Sequence, residues 1–384
     1  MIKRIIAVIL SLVLICSFAA CSKEKKPTEE IIPSEKKIAI LVAPESQYPE
    51  DYRAAAALAA EYPEKVVVKE YADSRILKPG NPAIMTLSEE LAGNSEIGAI
   101  IYARATQFTT DAIHAAKKVN PDIVTVCIEP EESVETLSKI SNLILSADSE
   151  SYAKAIVAQA KAQGAEHFVL FSFERHMNKN PLISAMHIAM EAACKEQGIN
   201  FVYDNSLDPT FSGGFNQASL YIKEAIARLN LNKKISGENV AVYSTDSAVQ
   251  KTLIEVANSK GYIYVSPSFP TAYNGLGEYY EIAMPEDKAD INAYLENAKA
   301  AVAADEKGKA RVSAYNYPLA TTLLTGALHC TFDILNGKTT AENMAERVAM
   351  RVNDAATSDS FTIKAYNEKL SNVFVCYSEG YVAF

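Results

Sequence analysis

Past residue 37 the chain alternates short apolar runs with longer stretches in which apolar residues recur every three or four positions. Most short runs are apolar at consecutive positions, which predicts strands covered on both faces, as in a parallel sheet. The longer stretches have helical spacing, for example at Ala218, Ile222 and Ala225, and several end at a glycine such as Gly164 or Gly198. This alternation predicts an α/β fold of doubly wound parallel sheets. The strand candidates cover residues 38–43, 65–71, 97–103, 123–128, 168–172, 201–204, 240–244 and 262–266.

The length of this region suits two such sheets, and the pattern offers a junction between them. A strand candidate at 142–146 is followed by Asp148, which can cap a helix over 149–163. We therefore expect residues 37–147 and 318–360 to form a first lobe and 148–317 a second, with the lobe of the C-terminal strands in 361–384 left open. After residue 266 the pattern predicts an irregular segment at 275–284, helices at 287–305, 318–335 and 341–353, and strands at 310–317, 360–366 and 373–377.

The first twenty-one residues have the pattern of an export signal. A cationic start at Lys3 and Arg4 precedes an apolar run over 5–15, which is too short to span a bilayer comfortably. Small residues directly before Cys21 form a lipobox, so we expect residues 1–20 to be a lipoprotein signal peptide and the Cys21 thiol to be diacylated, with palmitate as a typical acyl chain. Phe18 departs from the usual Leu, and an ordinary secretory signal cut after Ala20 is the alternative. Either leader places the working protein outside the cytoplasm.

Residues 21–36 are predicted to be a disordered tether. The segment is polar, carries charges of both signs and contains two prolines, so it cannot bury enough surface to fold. No later stretch is long and apolar enough to predict a transmembrane helix. We expect a protein anchored to the cell membrane by lipid and not threaded through it.

Charge and cysteine content bear on the partners and on the kinds of site that the chain can have. The formal net charge is −10, and no basic cluster is present, so nucleic acid, whose phosphates require Lys and Arg, is an improbable partner. No C-x-x-C motif occurs, and we expect no metal site and no cofactor. Buried free thiols are favoured over a disulfide for the four cysteines of the apolar segments, Cys127, Cys194, Cys330 and Cys376.

The motifs of common enzymes are missing from the sequence. It contains no G-x-S-x-G, no Walker loop, no H-E-x-x-H and no G-x-G-x-x-G after a strand. Gly275 and Gly277 only imitate a glycine loop, and the paired carboxylates Glu131 and Glu132 are assigned to a solvated run. We expect a protein that is not an enzyme.

Several motifs, taken in order, resemble those of a known family. They are DSESYA at 148–153, STDSA at 244–248, and KGKA at 307–310 followed by Asn316. This order resembles the type I periplasmic-binding proteins, the solute receptors of ABC importers that bind sugars, nucleosides or autoinducers. More narrowly, ERHM at 174–177 with CKEQG at 194–198 looks like a family of uncharacterised bacterial lipoproteins of this fold.

The resemblance implies two lobes joined by a hinge of three crossings, near 147–148, near 314–317 and before the C-terminal strands. A small polar solute, nucleoside-like or sugar-like, would lie in the cleft, and an ABC permease would receive it from a monomeric receptor. A receptor that reports to a signalling partner is the second hypothesis, and a lipoprotein enzyme on this scaffold is the third.

Strand ends supply the candidate ligand contacts of the first lobe, because open α/β sheets bind ligands at the carboxyl ends of their strands. They are Gln47, Tyr48, Tyr102, Arg104 and Glu129. Arg104 ends an apolar strand and therefore needs either a protein carboxylate or an anionic ligand group. The resemblance implies that Glu129 accepts hydroxyl protons of the ligand, and a solvated loop residue is the alternative.

In the second lobe the candidates are Arg175, His176, Thr245, Asp246 and Asn316. The resemblance implies that Arg175 contacts the ligand, whereas an Arg–Glu pair on the rim is the alternative. Asp246 either caps a helix or contacts the ligand. Asn316 matches a family amide that reaches into the cleft at a crossing.

Two departures from the family's sugar binders bear on the ligand. Thr245 stands where an Asn is usual, and Ser266-Pro267-Ser268 replaces an Asp after the last strand of the second lobe. A free sugar requires such acceptors and amides for its many hydroxyls. A simple monosaccharide is therefore disfavoured. A nucleoside-like or otherwise partly aromatic, hydrogen-bonding solute is the leading hypothesis, because acidic and aromatic residues share the predicted mouth of the cleft.

Overall fold

The computed structural model describes residues 29–45, 47–71, 82–210, 213–268, 271–273, 275–286, 290–305, 309–356 and 361–384. The predicted signal peptide, Cys21 and residues 22–28 of the predicted tether lie outside the described residues. The end of that tether contacts the first lobe: the Ile32 carbonyl accepts from Asn336 at 2.8 Å, and the Glu35 carbonyl accepts from Lys65 at 3.1 Å. Residues 32–384 form one compact unit.

The first half of the chain alternates strands and helices, as the pattern predicts. Its elements are β1 (Lys37–Val42), α1 (Pro49–Glu61), β2 (Val66–Glu70), α2 (Pro82–Gly93), β3 (Ile97–Tyr102), α3 (Thr109–Val119), β4 (Val124–Ile128), α4 (Val134–Leu137) and β5 (Leu143–Ala147).

The alternation continues after residue 148. The elements are α5 (Ser149–Ala162), β6 (His167–Ser172), α6 (Glu174–Lys179), α7 (Pro181–Glu196), β7 (Asn200–Asn205), α8 (Gly214–Leu231), β8 (Val240–Ser244), a 3₁₀ turn (Ser247–Val249), α9 (Gln250–Lys260), β9 (Ile263–Tyr264), α10 (Leu276–Tyr280), α11 (Ile291–Ala304) and β10 (Arg311–Tyr315). The C-terminal part adds α12 (Leu319–Leu335), α13 (Met344–Ala355), β11 (Thr362–Ala365), β12 (Val373–Tyr377) and β13 (Tyr381–Ala383). Helix α10 lies in the stretch predicted to be irregular, and β13 is a strand that the pattern does not predict.

The described strands form two sheets, in the orders β11-β12-β5-β4-β3-β1-β2 and β13-β10-β9-β8-β6-β7. All pairs are parallel except β11 with β12 and β13 with β10, which are antiparallel. The prediction of an α/β fold with two doubly wound parallel-sheet lobes is confirmed.

Helices cover both faces of each sheet, which explains the consecutive apolar residues in the strands. In the first lobe α2 and α3 pack together, and α1 packs with α12. In the second lobe, one face of the sheet packs against Ile222 and Leu253, and the other against Ile156 and Met190. The four cysteines of the apolar segments are buried and free, as predicted.

Along the described strands, the chain crosses between the sheets three times. The first two crossings, between β5 and α5 and between β10 and α12, lie where they are predicted. The third lies between β12 and β13 and not before β11 as predicted, because both β11 and β12 belong to the first sheet, where β12 pairs with β5, and β13 pairs with β10 of the second. Among the described residues, no helix combines the length and hydropathy needed to span a membrane.

Candidate functional site

A cavity of about 190 Å³ lies where the carboxyl ends of strands from both sheets meet. One water molecule needs about 10–15 Å³ on this measure, so the cavity has room for a small solute. Eight of the ten residues predicted as ligand contacts line it: Gln47, Tyr48, Arg104, Glu129, Arg175, His176, Thr245 and Asp246.

The other two predicted contacts do not line this cavity. Tyr102 ends β3 but is fully buried, and its hydroxyl donates to Ser88 of α2 at 3.0 Å. Asn316 is exposed, its backbone amide donates to the Gly380 carbonyl at 3.3 Å, and its side chain lies against that glycine. The pairing of β10 with β13 holds Asn316 at this position.

Arg104 is paired with a protein carboxylate, which is one of the two predicted alternatives. Its Nε and Nη2 donate to Oδ2 of Asp51, in the first turn of α1, at 3.0 and 2.8 Å. Both side chains are buried, and the Tyr48 ring lies 4.4 Å from the guanidinium carbon. Burial alone would lower the pKa of Arg104, but the Asp51 carboxylate holds that pKa above its ordinary value.

Arg175 has a similar arrangement in the second lobe. Its Nε and Nη2 donate to Asp208 at 2.7 and 3.2 Å, and its guanidinium carbon lies 4.9 Å from the centre of the Phe173 ring. The acidic partner is therefore an aspartate beyond β7, not the neighbouring Glu174 of the predicted rim alternative. Burial acts to raise the pKa of Asp208, but hydrogen bonds from Arg175 and Thr210 outweigh burial and lower it.

His176 is a neutral hydrogen-bonding group. Its ring is tilted by 35° against the Phe173 ring with centroids 4.0 Å apart, and its Nδ1 lies 3.0 Å from the Thr245 hydroxyl. Thr245 also contacts the Ser172 hydroxyl at 2.8 Å. Burial lowers the pKa of His176 to about 3, so the ring carries no charge near neutral pH. The described residues include no cluster of three or more His, Cys, Asp or Glu that could hold a metal ion.

Two glutamates line the cavity from the loop after β4. Glu129 has a left-handed backbone, with φ 48°, and its carboxylate accepts from the backbone amide of Ala147. Burial raises the pKa of Glu129 to about 7. Because its side chain is partly buried and bonded to the Ala147 amide, Glu129 is not the solvated loop residue of the alternative. The carboxylate of Glu131 accepts from the Tyr48 hydroxyl at 3.2 Å, and burial raises the pKa of Glu131.

The assignment of Glu131 and Glu132 to a solvated run is wrong. The amide of Glu131 donates to the Ala105 carbonyl at 2.8 Å, which folds the loop back over the sheet edge. Glu132 accepts from the amides of Phe108 and Thr110 at the start of α3. In the sequence, Glu131 is indicated as a cavity residue by its position two residues after Glu129, which is a predicted contact at a strand end.

Asp246 caps a helical turn, which is one of its predicted alternatives, and its contact with a ligand stays a prediction. Its Oδ1 accepts from the Ala248 amide at 2.7 Å and so caps the 3₁₀ turn, while the residue also lines the cavity. Burial raises the pKa of Asp246 to about 6, and the negative charge of Glu131 contributes to the increase. The cap of α7 also lies here: Asn180 accepts from the amides of Leu182 and Ile183 at 3.1 and 3.2 Å.

Part of the cavity wall is apolar and was not predicted. These residues come from α7 and from the chain around the start of α8: Leu182, Ile183, Met186, Pro209 and Phe215. In the sequence, Leu182, Met186 and Phe215 have only the helical spacing of core residues. The site therefore combines charged groups from both lobes with an apolar wall of the second lobe.

Comparisons with known proteins agree with this architecture. The family model described as "Protein of unknown function (DUF3798)" matches residues 36–313. An uncharacterized protein of Treponema pallidum (strain Nichols) is 27% identical over 218 residues, which are 57% of this chain and 97% of that protein.

Solved structures are similar over most of the chain. A putative transcriptional regulator from Clostridium difficile 630 has a TM-score of 0.69 at 17% identity, covering 92% of this chain and 100% of that chain. An ABC transporter solute binding protein from Clostridium phytofermentas, with bound L-rhamnose, has a TM-score of 0.53 at 12% identity, covering 92% of this chain and 96% of that chain. The chain has the type I periplasmic-binding fold that the resemblance implies.

Proposed function

The chain is a member of the DUF3798 family, and from the geometry of its cavity we propose that it is a solute-binding protein. The observation that carries the proposal is a single cavity lined by strand-end side chains of both lobes, with Glu129 and Arg104 on one side and Arg175 and Asp246 on the other. Such an arrangement suits a small polar solute held between two lobes.

Closure of the lobes would couple binding to recognition by a partner. The proposed lobes are residues 37–147 with 318–360 and residues 148–317, and strands of 361–384 join both sheets. A solute that contacts both lobes binds the closed form better than the open form, so it shifts the population towards closure. We propose that an ABC permease receives the solute from this closed form, with the receptor acting as a monomer and without catalysis.

The leader suggests where this binding takes place. The cationic start, the short apolar run and the small residues before Cys21 support export and lipid attachment. An extracytoplasmic receptor tethered by Cys21 remains next to its permease in the membrane. Growth with labelled palmitate should label the protein, and Cys21→Ser should abolish the label. Labelling of the Cys21→Ser protein would contradict the anchor.

Thermal melting against a panel of nucleosides, sugars, amino acids and vitamins tests the binding function. The chain from residue 22 onward contains every described residue and serves as the sample. A solute at a hundred times its dissociation constant adds about 2.7 kcal/mol to stability, which raises the melting temperature by several degrees. The absence of any shift, with no small molecule released on denaturation, would contradict the proposal.

Substitution of Arg175 tests the position of the site. Arg175→Ala should weaken binding of the solute found in the panel at least tenfold. Arg228→Ala is a matched control, because Arg228 also pairs with an aspartate, Asp204, at 2.8 Å and lies over a ring, that of Tyr221, yet it does not line the cavity. Equal loss of affinity in both variants would remove the cavity as the binding site.

A further inference from the structure

In the part of the chain that the structure describes, the charges around the cavity do not balance, and the excess of negative charge indicates a class of ligand. Each lining arginine is paired with an aspartate: Arg104 with Asp51, and Arg175 with Asp208. Neither aspartate lines the cavity, so both positive charges are compensated from behind the wall. An anionic ligand would have to compete with these carboxylates for the guanidinium groups.

Three lining carboxylates remain after this pairing. Glu129, Glu131 and Asp246 accept hydrogen bonds from neutral donors, and none of the three forms an ion pair with another described residue. Among the described residues no lysine lines the cavity, and His176 is neutral near pH 7. Burial is the main cause that raises the pKa of each carboxyl group. The charges of Arg104 and Arg175 offset only part of this rise, and positive charge from a ligand would offset more of it.

Helix amides do not change this balance. The amides at the start of α7 donate to Asn180, and that of Ala248 in the 3₁₀ turn donates to Asp246. These ends of the elements would otherwise attract an anion. The amides of Leu182, Ile183 and Ala248 are already used by protein acceptors.

We infer that the ligand carries an organic cation, an ammonium or amidinium group, which lies between Glu131 of the first lobe and Asp246 of the second. The inference rests on the proposed function, because the cavity is the site and the carboxylates only set the charge of its occupant. A group that pairs with carboxylates of both lobes stabilises their closed arrangement.

The apolar wall distinguishes such a ligand from a bare metal ion. Leu182, Met186 and Phe215 bury the body of an organic molecule but offer no oxygen ligands to a metal. The described residues also contain no cluster of three or more metal-ligating side chains. The ligand therefore combines a cationic group with an apolar or aromatic body.

Matched probes that share a body and differ in charge test this inference. Two sets suffice, phenethylamine with 2-phenylethanol and phenylacetate, and glucosamine with glucose and glucuronate. Calorimetric titration of the chain from residue 22 should show at least tenfold tighter binding of an amine than of its neutral and anionic counterparts. Tighter or equal binding of a neutral or anionic member, or strong binding of calcium ion alone, would overturn the inference while leaving the proposed solute-binding function in place.

Variants of the two carboxylates complete the test. Glu131→Gln and Asp246→Asn should each weaken the amine at least fivefold and leave its neutral counterpart within twofold. Glu150→Gln, which removes an exposed charge at the start of α5, should change neither. If no probe binds, the protein purified from cells is denatured, and the charge of any compound that it releases decides whether the inference holds. A compound without positive charge overturns the inference, a cationic one supports it, and the absence of any compound contradicts the proposed function itself.

Discussion

Both lobes place the same arrangement of residues at the cavity, but in different surroundings. Each has an arginine held by an aspartate and placed over an aromatic ring, Arg104 with Asp51 in the first lobe and Arg175 with Asp208 in the second. The first arginine side chain is 8% exposed and the second is 17% exposed. The two pairs therefore differ mainly in how far water reaches the guanidinium.

The pKa values of the aspartates express this difference. Burial raises the pKa of Asp51 in spite of its arginine, whereas hydrogen bonds from Arg175 and Thr210 lower that of Asp208 against the effect of burial. A buried ion pair repays its desolvation only when both partners are present. We conclude that the first pair mainly organises the lobe, while the second remains accessible to a ligand and to water.

The largest expected effect on stability tests the difference between the two ion pairs directly. Asp51→Asn leaves the Arg104 charge buried without compensation and should lower the free energy of unfolding by about 3–5 kcal/mol. Asp208→Asn leaves the Arg175 guanidinium, which water reaches more easily, and should lower the free energy of unfolding by about 1–3 kcal/mol. Urea denaturation at pH 7 measures both losses. Equal losses would show that the two pairs have equivalent surroundings.

The pH dependence of stability should differ between the lobes as well. The folded pKa of Glu129 is about 7 against an ordinary 4.5, so the folded protein retains a proton that the unfolded chain releases between these values. This contribution is complete below pH 4.5 and is lost as pH rises towards 7. Asp246, with a folded pKa of about 6 against 3.8, has the same sign in a lower window.

Variants with a neutral side chain at Glu129 or Asp246 separate the two pH ranges. Glu129→Gln keeps an acceptor for the Ala147 amide and should be more stable than the parent at pH 8 by about 2–3 kcal/mol, with the gain developing between pH 4.5 and 7. The gain for Asp246→Asn should develop between pH 3.8 and 6 and stay constant above. Urea midpoints across pH 4–8 measure this. Gains that develop in one common window would refute the assignment of different surroundings to the two carboxyl groups.

The sheets could be predicted from the sequence because strands that are buried on both faces are apolar at consecutive positions. Val124 to Ile128 and Val240 to Ser244 are buried along their whole length, and runs of this kind are readable without any knowledge of tertiary contacts. The strand ends could then be located, and with them eight lining residues, since parallel strands bring their carboxyl ends to one edge.

The remaining contacts depend on side-chain direction and on loop paths, which the pattern does not record. Tyr102 points towards Ser88 in α2, and Asn316 is held against Gly380 by pairing with a strand too short to be predicted. Glu131 reaches the cavity only because its loop bonds to Ala105, and Phe215 looks like one more core residue of a helix. Such features require the folded chain.

The smallest expected effects compare single hydroxyl groups of the two lobes. Tyr48→Phe removes the donor to Glu131 but keeps the ring beside Arg104, so it should lower the free energy of unfolding by about 0.5–1.5 kcal/mol. Thr245→Val removes a hydroxyl that bridges Ser172 and His176 and leaves both without this partner, so its loss should be about 1–3 kcal/mol. Urea denaturation at pH 7 gives the two values. A loss for Thr245→Val no larger than that for Tyr48→Phe would mean that water replaces the bridge, and that the second lobe is wetter at His176 than its low pKa implies.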